Sequence, residues 1–166
     1  MTHVPTVLFV CLHGAAKSVV AAEQLRRIAA ERGVVVEVGS AGVEPYDDVP
    51  PGVVAGLRED GLEVRGLRPS VVSAERLAAA SHVVSFGCDL SAFGPPGRTA
   101  EQWTGVPDVS DGYDEARREI VSRVEQLVET LLTPTAAPAS DRAAPRAEPA
   151  ASTPPSPPPG LPTRPR

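Results

Sequence analysis

The chain has 166 residues, a formal net charge of −5 and two cysteines. The acidic balance, with no arginine stripe interleaved with aromatics, speaks against general nucleic-acid binding. No apolar run approaches the roughly 20 residues of a membrane span, and no basic residue opens a secretory leader ahead of the first short apolar run. Two cysteines without a paired framework fit a reducing, cytoplasmic setting.

Val7-Leu8-Phe9-Val10 is a continuous apolar run, as in a strand buried on both faces. Ser18 is placed to cap a helix, with Glu23 in its early turns where the dipole favours an acid. Ala21, Leu25, Ile28 and Ala29 give that helix an apolar stripe, and Gly33 ends it. Residues 34–38 read as a second strand, closed by Gly39-Ser40-Ala41-Gly42. Two strands joined by a helix form a βαβ unit, hence a parallel sheet with a right-handed crossover.

Pro50-Pro51 opens a second helix running to Asp60, and Gly61 stops it. Ser73 caps a short helix over residues 74–80, and residues 82–86 read as a third strand leading into Gly87-Cys88-Asp89. Residues 90–101 read as a loop centred on Pro95-Pro96-Gly97, after which Trp103 anchors a short last strand. Ile120, Val124, Leu127, Val128 and Leu131 mark an amphipathic final helix. Strands alternating with helices, without an internal repeat, define an α/β sandwich.

Residues 133–166 hold 11 of the 19 prolines, no aromatic residue, and only Leu161 among Val, Ile, Leu and Met. Such a stretch cannot bury enough apolar surface to offset its ordering entropy, so it reads as a disordered tail with polyproline II tendency. Pro154-Pro155-Ser156-Pro157-Pro158-Pro159 could dock to a proline-reading module; the plainer reading is a solubilising tail without a partner. The expected organisation is one domain over residues 1–132 and a tail over residues 133–166.

The chemistry concentrates in Cys11-Leu12-His13-Gly14-Ala15-Ala16-Lys17-Ser18, between the first strand and the first helix. Lys17 is the only lysine; the other fifteen basic side chains are arginine. A loop entering a helix turns several backbone N–H groups inward, with the positive end of the dipole behind them. That cradle binds a tetrahedral oxyanion and favours thiolate over thiol, which makes the thiol a nucleophile. Gly14, Ala15 and Ala16 are small enough to leave it open, and Gly14 adopts a positive φ freely. Lys17 would neutralise the anion, and the Ser18 hydroxyl would donate to the thiolate. A lone cysteine also serves as a small buried hydrophobe, which is the plain alternative for Cys11 and Cys88.

Val7-Leu8-Phe9-Val10-Cys11 through Lys17-Ser18, with Ala22-Glu23, resembles the low-molecular-weight protein tyrosine phosphatase family, which includes the thioredoxin- or mycothiol-coupled arsenate reductases. Ser40-Ala41-Gly42 and Glu101-Gln102-Trp103-Thr104-Gly105-Val106-Pro107-Asp108 match in the same order. The resemblance implies a three-layer sandwich, a four-stranded parallel sheet with helices on both faces (phosphotyrosine protein phosphatase I-like). It also implies Cys11 as nucleophile, Lys17 in the arginine's place and Asp108 as general acid and then base. Residues 12 to 18 (Leu12, His13, Gly14, Ala15, Ala16, Lys17, Ser18) would bind phosphate, and Ser40 would brace the loop.

Three positions depart from the family pattern. Lysine at 17 replaces an arginine fork with a point charge. Gly14 stands where asparagine usually stabilises the loop, and Val109 where many members have proline after the acid; both changes are expected to loosen their loops. Asp111 is a second candidate acid or a helix cap. Cys88 resembles the start of the arsenate reductase redox segment, but the further cysteine of thioredoxin-coupled members is missing.

The leading expectation is a phosphomonoesterase working through a cysteinyl phosphate on a phosphotyrosine protein or a phosphorylated small molecule. Tyr46, Trp103 and Tyr113 are the candidates to hold an aryl ring. One alternative is a thiol-dependent arsenate reductase drawing on external mycothiol or thioredoxin; another is a non-catalytic oxyanion-binding protein. His3, His13 and His82 share no ligand spacing with each other or with the cysteines, so no metal or other cofactor is expected. Neither nucleic acid nor membrane is expected as a partner.

Overall fold

The computed structural model describes residues 3–95 and 99–132. Thr6–Cys11 forms β1, Lys17–Glu31 α1, Glu37–Gly42 β2, Pro51–Glu59 α2, Ala74–Ala79 α3, His82–Ser85 β3, Thr99–Gln102 β4 and Tyr113–Leu132 α4. The expected tail, and Pro96 and Gly97 of the expected loop, lie outside the described residues. The four strands are parallel in the order β2-β1-β3-β4.

β1 lies in the interior of the sheet because both its faces are apolar. Val7 and Phe9 enter one core with Val20, Leu25 and Ile28 of α1, Leu57 of α2, and Ile120 and Val124 of α4. Leu8 and Val10 enter a second core on the opposite face with Leu77 of α3. The two-residue period of the strand therefore separates two helical layers, which makes a three-layer α/β sandwich. Trp103 is buried with Phe9 and Phe86, its ring 5.7 Å from each of theirs, and so belongs to the first core.

Four expectations need correction. The second strand begins at Glu37, not Val34: the chain leaves α1 through Gly33, at φ 72°, and pairing starts where the Glu37 amide reaches the Pro5 carbonyl. Ser40-Ala41-Gly42 is consequently the end of the strand and not its closing loop. The expected last strand begins earlier than Trp103: β4 takes up the end of the expected loop over residues 90–101 and stops at Gln102, an exposed edge strand held by its pairing with β3. Ser18 does not cap α1, whose cap is Ala16 with no side-chain bond. Glu23 lies in the second turn of α1, as expected, where it is buried and pairs with Arg26.

No helix among the described residues is long and apolar enough to cross a membrane.

Candidate active site

Cys11 is the last residue of β1, so the sheet delivers its side chain to the carboxyl edge, where α/β proteins bind ligands. The next five residues form the loop into α1. The carbonyls of Cys11, Leu12 and His13 turn toward the segment after β2, accepting from the amides of Val43 (3.2 Å), Glu44 (2.8 Å) and Tyr46 (3.1 Å). Among the described residues, the amides of residues 13–18 have no protein acceptor. A nest of unpaired N–H groups at a helix start favours negative charge.

Gly14 holds this loop at φ 59°, and a Cβ there would stand 2.5 Å from the Gly42 amide nitrogen. Backbone lies against backbone at this contact. The expectation of a loosened loop is thereby corrected: packing against β2 replaces side-chain bracing, and an asparagine would collide with Gly42. Ser40 also departs from expectation. Among the described residues its side chain makes no hydrogen bond to the loop; its carbonyl accepts from Ser70 Oγ (2.9 Å) and Arg76 (3.1 Å). It anchors the strand that anchors the loop.

Ser18 is fully buried in the first turn of α1, and its Oγ lies 3.1 Å from Cys11 Sγ. Withdrawn from capping, the hydroxyl is free to serve the sulfur. Cys11, Lys17 and Asp108 line one cavity of about 630 Å³ together with His13, Tyr46 and Tyr113. Lys17 Nζ forms an ion pair with Asp108 Oδ1 at 2.7 Å, the lysine mostly buried and the aspartate 64 % exposed. The Asp108 carbonyl also accepts from the Asp111 amide at 3.0 Å, closing a turn. Val109 packs against the core, so the acid loop is pinned where it was expected to be loose.

Aromatic side chains line the cavity. His13 stacks on Tyr46, with ring centroids 4.0 Å apart and planes within 9°. Tyr113 faces the cavity from the start of α4, and its hydroxyl donates to Asp60 at 3.3 Å. Burial, and then the charge of Asp60, push the Tyr113 phenol well above its ordinary value, so it remains a donor. Neither the His13–Tyr46 stack nor the role of Asp60 was visible in the sequence; Glu59-Asp60-Gly61 reads there as an ordinary exposed helix end.

Cys88 is half-buried, against the expectation of a buried residue, and both cysteines are free thiols. Its amide accepts nothing but donates to Ser85 Oγ (3.0 Å), while its carbonyl accepts from Ser85 Oγ and Gln102. Burial, and then the negative charge of Cys11, push the Cys88 thiol up; Ser85 and Lys17 oppose them. No three His, Cys, Asp or Glu side chains among the described residues converge on a point where a metal could bind.

An α/β sandwich with an amide-lined loop between a cysteine and a helix start is the architecture of a cysteine-dependent phosphatase. Residues 6–89 match the family model for low molecular weight phosphotyrosine protein phosphatase, and the chain belongs to that family. No curated protein matches the sequence. A thioredoxin-dependent arsenate reductase of Corynebacterium glutamicum is 29% identical, with a TM-score of 0.71 over 81% of this chain and 65% of its own. The chain thus spans about two thirds of that relative's length. An arsenate reductase from Archaeoglobus fulgidus is 28% identical, with a TM-score of 0.57 over 74% of this chain and 98% of its own. The tyrosine phosphatase Wzb from Escherichia coli K30, solved with sulphate, shares the fold at 15% identity (TM-score 0.67, covering 78% of this chain and 99% of its own).

Proposed function

We propose that the protein hydrolyses phosphomonoesters at the loop from Cys11 to Ser18, through a cysteinyl phosphate. The observation that carries this is the buried Ser18 hydroxyl 3.1 Å from Cys11 Sγ, beneath a nest of unpaired amides. Cys11 Sγ attacks phosphorus, the P–O bond to the leaving group breaks, and Asp108 protonates the departing oxygen. Asp108 then takes a proton from water as that water attacks the phosphocysteine; the S–P bond breaks and inorganic phosphate leaves. Lys17 and the amides of residues 12–18 carry the equatorial oxygens.

Lys17 is engaged by Asp108 in the free site, so the incoming dianion has to take the lysine from it. That exchange frees the Asp108 carboxylate, largely exposed, to take up a proton from solvent, and it is this proton that it gives to the leaving oxygen. Tyr46 and Tyr113 leave room for a flat organic group, which supports aryl phosphates, phosphotyrosine among them, as the substrate class. The site lies wholly within residues 1–132, which we take as the functional domain; a cytoplasmic setting suits a free reactive thiol.

A second reading is arsenate reduction, favoured by Cys88 at the same sheet edge as Cys11 and within reach of its charge. It would need an external thiol such as mycothiol or thioredoxin to regenerate the site. Two assays decide. Turnover of p-nitrophenyl phosphate between about pH 5 and pH 8, lost in Cys11→Ser, supports the phosphatase. Arsenate-dependent consumption of added thiol without phosphate release supports the reductase, and phosphate binding without either reaction supports a non-catalytic anion binder.

A further inference from the structure

Asp60, at the C-terminal end of α2, is a carboxylate held between three helices. Its side chain is 13% exposed and accepts from Arg117 Nε of α4 at 2.7 Å. Gln24 Nε2 of α1 donates to it at 2.8 Å, and the Tyr113 hydroxyl at 3.3 Å. A carboxylate drawn this far from water persists because a cation matches its charge and several donors fill its lone pairs.

Tyr113 is held at a second point. Its ring lies across α2 at Gly56, where a Cβ would run into the ring atoms. The same ring lines the cavity that contains Cys11 and Lys17. Gly56 thus provides a slot, Asp60 a tether, and the ring a wall fixed relative to the nucleophile.

We propose that Asp60 is a positioning residue that acts through Tyr113: it fixes the wall against which the organic group of the substrate lies, and so sets which phosphate esters fit. The inference rests on the reading of the cavity as a phosphate-ester site. The network between α1, α2 and α4 then governs recognition of the ester's organic part, while the loop from Cys11 to Ser18 governs the phosphate. A staple that merely joined three helices would affect every ligand equally.

The test uses the full chain as wild type, Tyr113→Phe and Asp60→Asn. Calorimetry measures phenylphosphonate, which carries a ring, against inorganic phosphate, which does not. Both variants are expected to lose about fivefold in affinity for phenylphosphonate, the worth of one ordinary hydrogen bond, with inorganic phosphate unchanged. In turnover of p-nitrophenyl phosphate the same variants raise KM and leave kcat within about twofold. Should Asp60→Asn not fold, Tyr113→Phe alone carries the comparison, because it retains the buried carboxylate and its arginine. Equal losses for the two anions, or no loss for either, would overturn the positioning role. Binding of neither anion by the wild type would overturn the phosphate-site reading and this inference with it, whereas wild-type binding without turnover would overturn the hydrolase reading alone.

Discussion

Lys17 Nζ lies 2.7 Å from Asp108 Oδ1, so the cation of the candidate phosphate site and its candidate acid neutralise one another before any ligand arrives. Asp108 acts as an internal competitor for the lysine. Asp108→Asn removes the competing charge and the proton donor together. Inorganic phosphate is expected to bind tighter, by up to about fivefold, the worth of an exposed ion pair. Aryl phosphate turnover falls on the order of a hundredfold. Calorimetry and steady-state kinetics on one preparation read both; weaker phosphate binding would show that Asp108 does not compete.

Lys17→Arg restores a fork able to span two phosphate oxygens. It is expected to raise kcat for an aryl phosphate if the loop accommodates the larger head, and to abolish binding if it does not. An unchanged rate would show that this position does not limit catalysis.

Ser18→Ala removes the side-chain hydrogen-bond partner of Cys11. Loss of a hydrogen bond to a charged sulfur is expected to lower kcat on the order of tenfold. The remaining methyl still fills most of the buried site, so the melting temperature should move little. A large stability loss with intact kcat would assign Ser18 to packing alone.

Gly14→Ala meets two obstacles, a positive φ and the Gly42 backbone. The φ cost alone is roughly 1–3 kcal/mol. Gly33→Ala is the control, because Gly33 also has a positive φ but no atom within 4 Å of its Cβ position. Denaturant unfolding should show a larger loss at 14 than at 33, and phosphate binding should fail only at 14. Equal losses would mean that the contact with Gly42 carries no weight.

His82 sets a pH dependence. Its Nδ1 is buried without a partner, and burial lowers its pKa from the usual 6.5, with Glu101 opposing. The folded protein therefore resists protonation more than the unfolded chain. As pH falls through 6.5, the unfolded state takes up a proton that the folded state does not, and stability declines until the lowered folded value is reached. His82→Gln is expected to shrink the difference in melting temperature between about pH 7.5 and pH 5.5. A wild-type curve that is flat or rises on acidification would exclude the effect.

β1, its loop and α1 were legible because one segment carries three agreeing signals: a doubly apolar run, small residues in the loop and a helical stripe after it. α4 was legible from its apolar spacing. A last strand was expected at Trp103 but its bounds were not legible, since Thr99-Ala100-Glu101-Gln102 is exposed throughout and owes its form to pairing with β3, which has no local signature. The start of β2 was misplaced because Val34 to Val36 have the composition of a strand while lying outside the paired register. In the site, Cys11 and Ser18 were named from the chemistry of the loop and Asp108 from the family resemblance, but not the contacts that decide their state. Gly14 against Gly42, Lys17 on Asp108 and Asp60 under Tyr113 each join segments far apart in the chain, and residue type alone does not announce such meetings.

With lysine absent everywhere else, Lys17 also makes the protein singular toward amine chemistry. An acylating reagent has one ε-amine to find, and it is the one in the anion site. Apart from the α-amino group, labelling is then confined to the anion site and readable on the intact chain by mass, and it reports how far that single nitrogen is held by Asp108 or by an anion in the cradle.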